Sequence, residues 1–62
     1  MTKSAEYLFE HYISLIDNLI KNGKDVGEIT FTILDKEGIK YAEAYEMADK
    51  LDDLILARTE EV

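Results

Sequence analysis

The chain has 62 residues and no cysteine, which excludes disulfides and thiolate metal sites, and its single histidine cannot form a zinc site alone. It carries fourteen acidic and seven basic residues, and the whole net charge of −7 lies in residues 25–62, because the first 24 residues are neutral as a group. This charge disfavours direct binding to nucleic-acid phosphates, and no apolar run is long enough to span a membrane.

The length predicts a single small domain, residues 1–62, with a core that is only marginally stable by itself. Because disulfides and metals are excluded, self-association is the remaining means of adding stability. We therefore expect a homo-oligomer or a tight heteromeric partner. The first residues have no secretory pattern, so we also expect a cytoplasmic protein.

Residues 4–21 predict an amphipathic helix. Its apolar residues follow the spacing of one broad helical face and are Ala5, Leu8, Phe9, Tyr12, Ile13, Leu15, Ile16, Leu19 and Ile20. Ser4 is the expected N-cap, and the pair Asn22–Gly23 is expected to end the helix.

Residues 25–41 are ambiguous between a hairpin and a helix. A strand places Ile29, Phe31 and Ile33 on one side, whereas in a helix Phe31 falls off the apolar face. The many β-branched residues of this segment also favour a strand.

We therefore predict a β-hairpin in which residues 35–38 form a type I turn and residues 39–41 form a short return strand. The alternative is a second helix that begins at a capping box, residues 25–28, and ends at Gly38.

Residues 42–60 predict the last helix, with a narrow apolar stripe. Together these elements predict a small α+β domain of order α-β-β-α, in which two helices pack on a hairpin; the alternative is an all-α three-helix bundle. The predicted core consists of Leu8, Tyr12, Leu15, Ile16, Leu19, Ile29, Phe31, Ile33, Met47, Ala48, Leu51 and Ile55.

A second pattern on the last helix lies outside its apolar stripe. Two apolar residues frame a row of acids on one face, and the candidate partner-binding residues are Tyr45, Glu46, Asp49, Asp52, Asp53 and Leu56. The charges would steer a partner with a basic surface, and Tyr45 would be the anchor. The alternative is a solvated acidic face with two isolated apolar residues.

The remaining candidate residues do not indicate a catalytic, metal or cofactor site. Tyr7, His11 and Ser14 share one side of the first helix and form either a small contact patch or an ordinary surface. We expect no catalytic residue, since no nucleophile motif accompanies His11. We expect no metal and no cofactor, since the acids lack a calcium-binding loop and the glycines are isolated.

The stretch from Ala44 to Leu51 reads A-Y-E-M-A-D-K-L and is followed by Ala57–Arg58. It resembles the C-terminal helix of short uncharacterised phage and prophage proteins, which read A-Y-x-x-A-D, an apolar pair and then A-R. The resemblance covers about a third of the chain, and this sequence departs from it at Asp52–Asp53 and at residues 29–33. It implies a phage context, hence the cytoplasm of a host cell, and no catalytic residues.

Three hypotheses for the function follow. The first is a non-enzymatic protein-binding module, a small acidic phage or prophage accessory protein that binds or inhibits a host protein. The second is an acidic mimic of nucleic acid that inhibits a nuclease or another DNA-binding protein, because carboxylates on a helix resemble a row of phosphates. The third is a structural dimerisation unit.

Overall fold

The computed structural model describes residues 3–61. In this part of the chain four α-helices follow one another, with a 3₁₀ turn at Tyr41–Glu43 before the last; they are α1 (Ala5–His11), α2 (Ile13–Lys21), α3 (Val26–Lys36) and α4 (Tyr45–Thr59). Residues 3–61 contain no β-strand. The predicted α+β fold is therefore wrong, and its all-α alternative is correct in class.

The segment predicted as a hairpin is the helix α3. Its buried face consists of Ile29, Thr30, Ile33 and Leu34, which lie within one helical stripe and pack into the core. Phe31 points to the other side and is 59% exposed. Burial of this stripe outweighs the strand preference of the β-branched residues, because that preference depends strongly on tertiary context.

The predicted turn at residues 35–38 is the end of this helix. Gly38 has a φ of +70°, which favours glycine, and its N–H donates to the carbonyl of Asp35. The N–H of Ile39 donates to the carbonyl of Leu34 at 2.9 Å, which completes a Schellman motif. At the other end, Asp25 is the N-cap, but its side chain makes no capping hydrogen bond.

The predicted helix 4–21 is interrupted at Tyr12, where φ is −104° and ψ is 21°. Its start is confirmed, because the side chain of Ser4 accepts a hydrogen bond from the N–H of Tyr7 at 3.0 Å. The predicted end at Asn22–Gly23 is also confirmed, since Gly23 has a φ of +80°. The interruption occurs where the phenol of Tyr12 donates a hydrogen bond to Glu37 at the end of α3.

The helix α4 is the common packing partner of the other helices and has its main contacts with α1 and α3. It begins three residues later than predicted, because residues 41–43 form the 3₁₀ turn. Arg58, near its end, holds α2 through two hydrogen bonds to the carboxylate of Asp17, at 2.8 and 2.7 Å. The hydrogen bonds from Arg58 hold the pKa of Asp17 below its usual value.

The core between these helices is one cluster of buried apolar residues, namely Ala5, Leu8, Ile16, Ile29, Ile33, Leu34, Ala48, Leu51 and Ile55. Seven of the predicted core residues are among them. Tyr12, Leu15, Leu19 and Met47 are half-buried. Phe31 was predicted wrongly, because the strand hypothesis placed it on the buried side of the strand. Leu34 was missed, because the same hypothesis placed it on the exposed side.

Candidate functional site

Three aromatic side chains cluster on the surface where α3, the 3₁₀ turn and α4 meet. The rings of Phe31 and Tyr41 are nearly parallel, with centroids 6.2 Å apart, and the ring of Tyr45 stands edge-on to Tyr41 at 5.3 Å. Their exposed fractions are 59%, 40% and 59%. We call Phe31, Tyr41 and Tyr45 the aromatic patch.

Each member of this patch is placed by a different element. Phe31 lies on the side of α3 that faces away from the buried stripe. Tyr41 opens the 3₁₀ turn, whose bond from the N–H of Ala44 to its carbonyl turns the chain towards α4. Tyr45 is the first residue of α4. The patch therefore depends on the chain forming a helix, and not a strand, at residues 26–36.

The predicted partner-binding residues fall into two groups. Tyr45, Glu46, Asp49, Asp53 and Leu56 are all exposed on α4, in agreement with the predicted face. Asp52 is half-buried, because it accepts a hydrogen bond from the hydroxyl of the buried Thr30. Asp52 therefore joins α4 to α3, and the structure gives it a stabilising contact in addition to its charge.

The two basic residues of α4 are paired with acids of other helices. The ammonium of Lys50 lies 3.5 Å from Glu6 of α1. The guanidinium of Arg58 is bound to Asp17 of α2. The exposed side of α4 from Tyr45 to Leu56 is consequently acidic and is bordered by aromatic rings at its beginning.

A depression of about 360 Å³ adjoins the patch at the carboxyl end of α3. The residues that line it are Phe31, Leu34, Asp35, Gly38, Ile39, Lys40 and Tyr41. Two aromatic rings, two aliphatic side chains, one carboxylate and one ammonium thus surround a space of a size that suits one or two side chains of a binding partner.

Tyr7 and His11 do come together, as their spacing predicts. Their rings are stacked with centroids 5.7 Å apart, and the ammonium of Lys3 lies 5.6 Å from the centre of the Tyr7 ring. Beside them, Glu37 accepts hydrogen bonds from Tyr12 and from Lys3. These contacts tie the start of the described chain to the end of α3, which is a structural role.

The hydrogen bond from Tyr12, and then that from Lys3, holds the pKa of Glu37 below its usual value near 4.5. The same contact with Glu37 raises the pKa of the Tyr12 phenol. Ser14 is exposed as well.

Phe31 and Tyr41 were missed as site residues. The signal for Phe31 was in the sequence, because a large aromatic residue off the apolar face of a helix is either evidence against the helix or a sign of an exposed ring. The strand hypothesis treated Phe31 as evidence against a helix, whereas the structure shows an exposed ring on a helix. Tyr41 had no such signal, since its position depends on the 3₁₀ turn.

No protein family, curated protein or solved structure matches this chain. Within residues 3–61, no three potential ligands among histidine, aspartate and glutamate are grouped so as to hold a metal ion. None of the helices in that part of the chain has the length and apolar character needed to cross a membrane.

Proposed function

We propose that this domain is a non-enzymatic protein-binding module whose contact surface is the aromatic patch together with the exposed acids of α4. The observation that carries the proposal is the clustering of three exposed aromatic rings beside an acidic helix face. Tyrosine and other aromatic residues dominate the binding energy at protein interfaces, and clustered exposed apolar surface marks such sites.

The partner has a basic surface, because the acids of this face would otherwise be brought against like charges. On the resemblance to phage and prophage proteins, we further propose that this partner is a host protein that the domain binds or inhibits. The aromatic patch favours this function over mimicry of nucleic acid, since a row of carboxylates needs no exposed rings to imitate phosphates.

The test is site-specific photo-crosslinking in host-cell lysate. A photoreactive phenylalanine analogue replaces Tyr45 in one variant and Tyr7 in the control variant. Tyr7 is a matched control because it is also an exposed tyrosine, 49% against 59%, and it lies in α1. We expect one protein to be crosslinked at position 45 and not at position 7.

A competition experiment then tests whether the aromatic patch is the surface that binds the crosslinked partner. Excess unmodified domain should remove the crosslink, whereas excess of the triple variant Phe31→Ser, Tyr41→Ser, Tyr45→Ser should not. Equal crosslinking at both positions, or equal competition by the triple variant, would disprove the proposal. A crosslink that disappears steeply with salt and that excess triple variant still removes would favour the mimic instead.

A further inference from the structure

The depression at the carboxyl end of α3 has the chemistry of a receptor for one kind of side chain. Two aliphatic side chains contribute to its lining, because the Schellman motif that ends α3 brings Ile39 next to Leu34. Gly38 leaves the space open, since it has no side chain and a Cβ built there would meet nothing within 4 Å.

Two aromatic rings contribute to its lining. Phe31 and Tyr41 both line the depression and are nearly parallel, with an angle of 8° between the rings. The faces of aromatic rings attract cations, and a planar guanidinium stacks on them.

The local electrostatics also favour a cation. The depression lies at the carboxyl end of a helix, which carries the negative end of the helix dipole. The carboxylate of Asp35 lies on its edge, on the same side of α3 as Phe31 because the two residues are four apart. Lys40 is the opposing charge among the lining residues, and it is exposed.

We infer that this depression binds an arginine side chain of the partner. The guanidinium would stack on Phe31 or Tyr41 and pair with Asp35, and the aliphatic stem would cover Leu34 and Ile39. Arginine fits better than lysine, because a compact ammonium neither stacks on rings nor forms a two-pronged bond with a carboxylate. This inference rests on the proposed function and names the chemistry of its anchor.

The test is a titration of the ¹⁵N-labelled domain, followed by NMR, with the peptide acetyl-Gly-Leu-Arg-Leu-Gly-amide. The control peptide contains citrulline, which has nearly the shape of arginine and no charge. We expect the amide signals of residues 34–41 to shift with the arginine peptide and the affinity to fall at least several-fold with citrulline. Equal affinity of the two peptides, or shifts confined to other residues, would overturn the inference.

Two opposite charge changes sharpen this test. Asp35→Asn should weaken binding of the arginine peptide by roughly two- to fivefold, and Lys40→Gln should strengthen it by a similar factor, as expected for exposed charge pairs. Glu60→Gln, at the far end of α4, is the matched control and should change little. An effect of Asp35→Asn no larger than that of Glu60→Gln would contradict the assignment, as would tighter binding of a trimethyllysine peptide.

The result separates this inference from the proposed function. If the arginine peptide does not bind while the crosslink at position 45 is removed by excess unmodified domain and not by the triple variant, the protein-binding surface stands and its arginine anchor is wrong. If the crosslinking contrast fails while the peptide binds at the depression, the arginine site exists and the partner does not engage α4.

Discussion

Thr30 is the buried polar side chain of the described core, and its hydroxyl donates to Asp52 across the contact between α3 and α4. Replacement by valine keeps the shape and removes this donor. We expect Thr30→Val to lower the free energy of unfolding by about 0.5–1.5 kcal/mol, the usual net value of one hydrogen bond.

Urea unfolding followed by circular dichroism measures this loss. Thr32→Val is the control, because the hydroxyl of Thr32 donates only to the carbonyl of Glu28 in its own helix. If Thr30→Val proved no less stable than Thr32→Val, the bond to Asp52 would not hold the two helices together.

Glu37 makes stability depend on pH. Its pKa in the folded protein is lowered, chiefly by the hydrogen bond from Tyr12, from a usual value near 4.5. A depressed carboxyl pKa stabilises the fold above the usual value, and this contribution is lost as the pH falls through the folded value. We therefore expect Tyr12→Phe to be less stable than the wild type at pH 7 and to approach it as the pH falls below the lowered pKa of Glu37.

Thermal unfolding at a series of pH values tests this expectation. Tyr7→Phe serves as the control, since no hydrogen bond joins the phenol of Tyr7 to Glu37. Asp17, whose pKa is also lowered, contributes equally to all three proteins. A difference between Tyr12→Phe and the wild type that stays constant as the pH falls from 7 to below the lowered pKa of Glu37 would contradict the role of Glu37.

Two glycines of the α3 region differ in backbone conformation. Gly27 lies in the first turn of α3 without a positive φ, and an added Cβ would meet nothing. Gly38 has a φ of +70°. We expect Gly27→Ala to stabilise the domain by about 0.4–1 kcal/mol and Gly38→Ala to destabilise it by about 1–2 kcal/mol.

Each variant is the control for the other, because both add one methyl group to open space. Chemical denaturation gives both values. If Gly38→Ala were as stable as the wild type, the left-handed end of α3 would not be required for the fold.

The sequence allowed the outer helices to be predicted, whereas it offered α3 only as the alternative to a hairpin. Ser4 and the Asn22–Gly23 pair gave the limits of the first helical region, and the stripe of Ala48, Leu51 and Ile55 was read correctly. The break at Tyr12 could not be predicted, because it coincides with a contact to Glu37, twenty-five residues away.

The hairpin prediction failed for a physical reason. Alternation and β-branching favour a strand locally, whereas Ile29, Thr30, Ile33 and Leu34 are buried together only when the segment is a helix, and this burial outweighs the local preference. The hairpin hypothesis also affected the candidate site: the sequence indicated the exposed face of α4 with Tyr45, whereas Phe31 and Tyr41 were missed, because the aromatic patch exists only when residues 26–36 are helical.

For the whole molecule, stability depends on a core of a few fully buried side chains. Leu51 is buried and Leu56 is 54% exposed, and both lie on α4. We expect Leu51→Ala to cost about 2–5 kcal/mol, which is comparable to the whole stability of a domain this small. Leu56→Ala should change stability by no more than about 0.5 kcal/mol.

Circular dichroism of the two alanine variants at 25 °C separates them. Leu51→Ala should be largely unfolded, and Leu56→Ala should keep the helical spectrum. A cooperative, fully folded Leu51→Ala would show that the core is larger than this single cluster.

Self-association stays a prediction. A strand edge is not available for it in residues 3–61, which leaves the half-buried apolar side chains of α2, such as Ile13 and Leu15. We expect sedimentation equilibrium at micromolar concentration to show a dimer and Ile13→Glu to shift it to a monomer. A wild-type domain that sediments as a stable monomer would exclude this route.

The position of α4 has a consequence for synthesis of the protein in the cell. The helices α1 and α3 both pack chiefly against α4, and α4 follows them in the chain. Their apolar stripes therefore stay uncovered until α4 has also emerged from the ribosome. Folding must therefore await the last helix, and the chain depends on rapid closure of its core, or on a chaperone, during that interval.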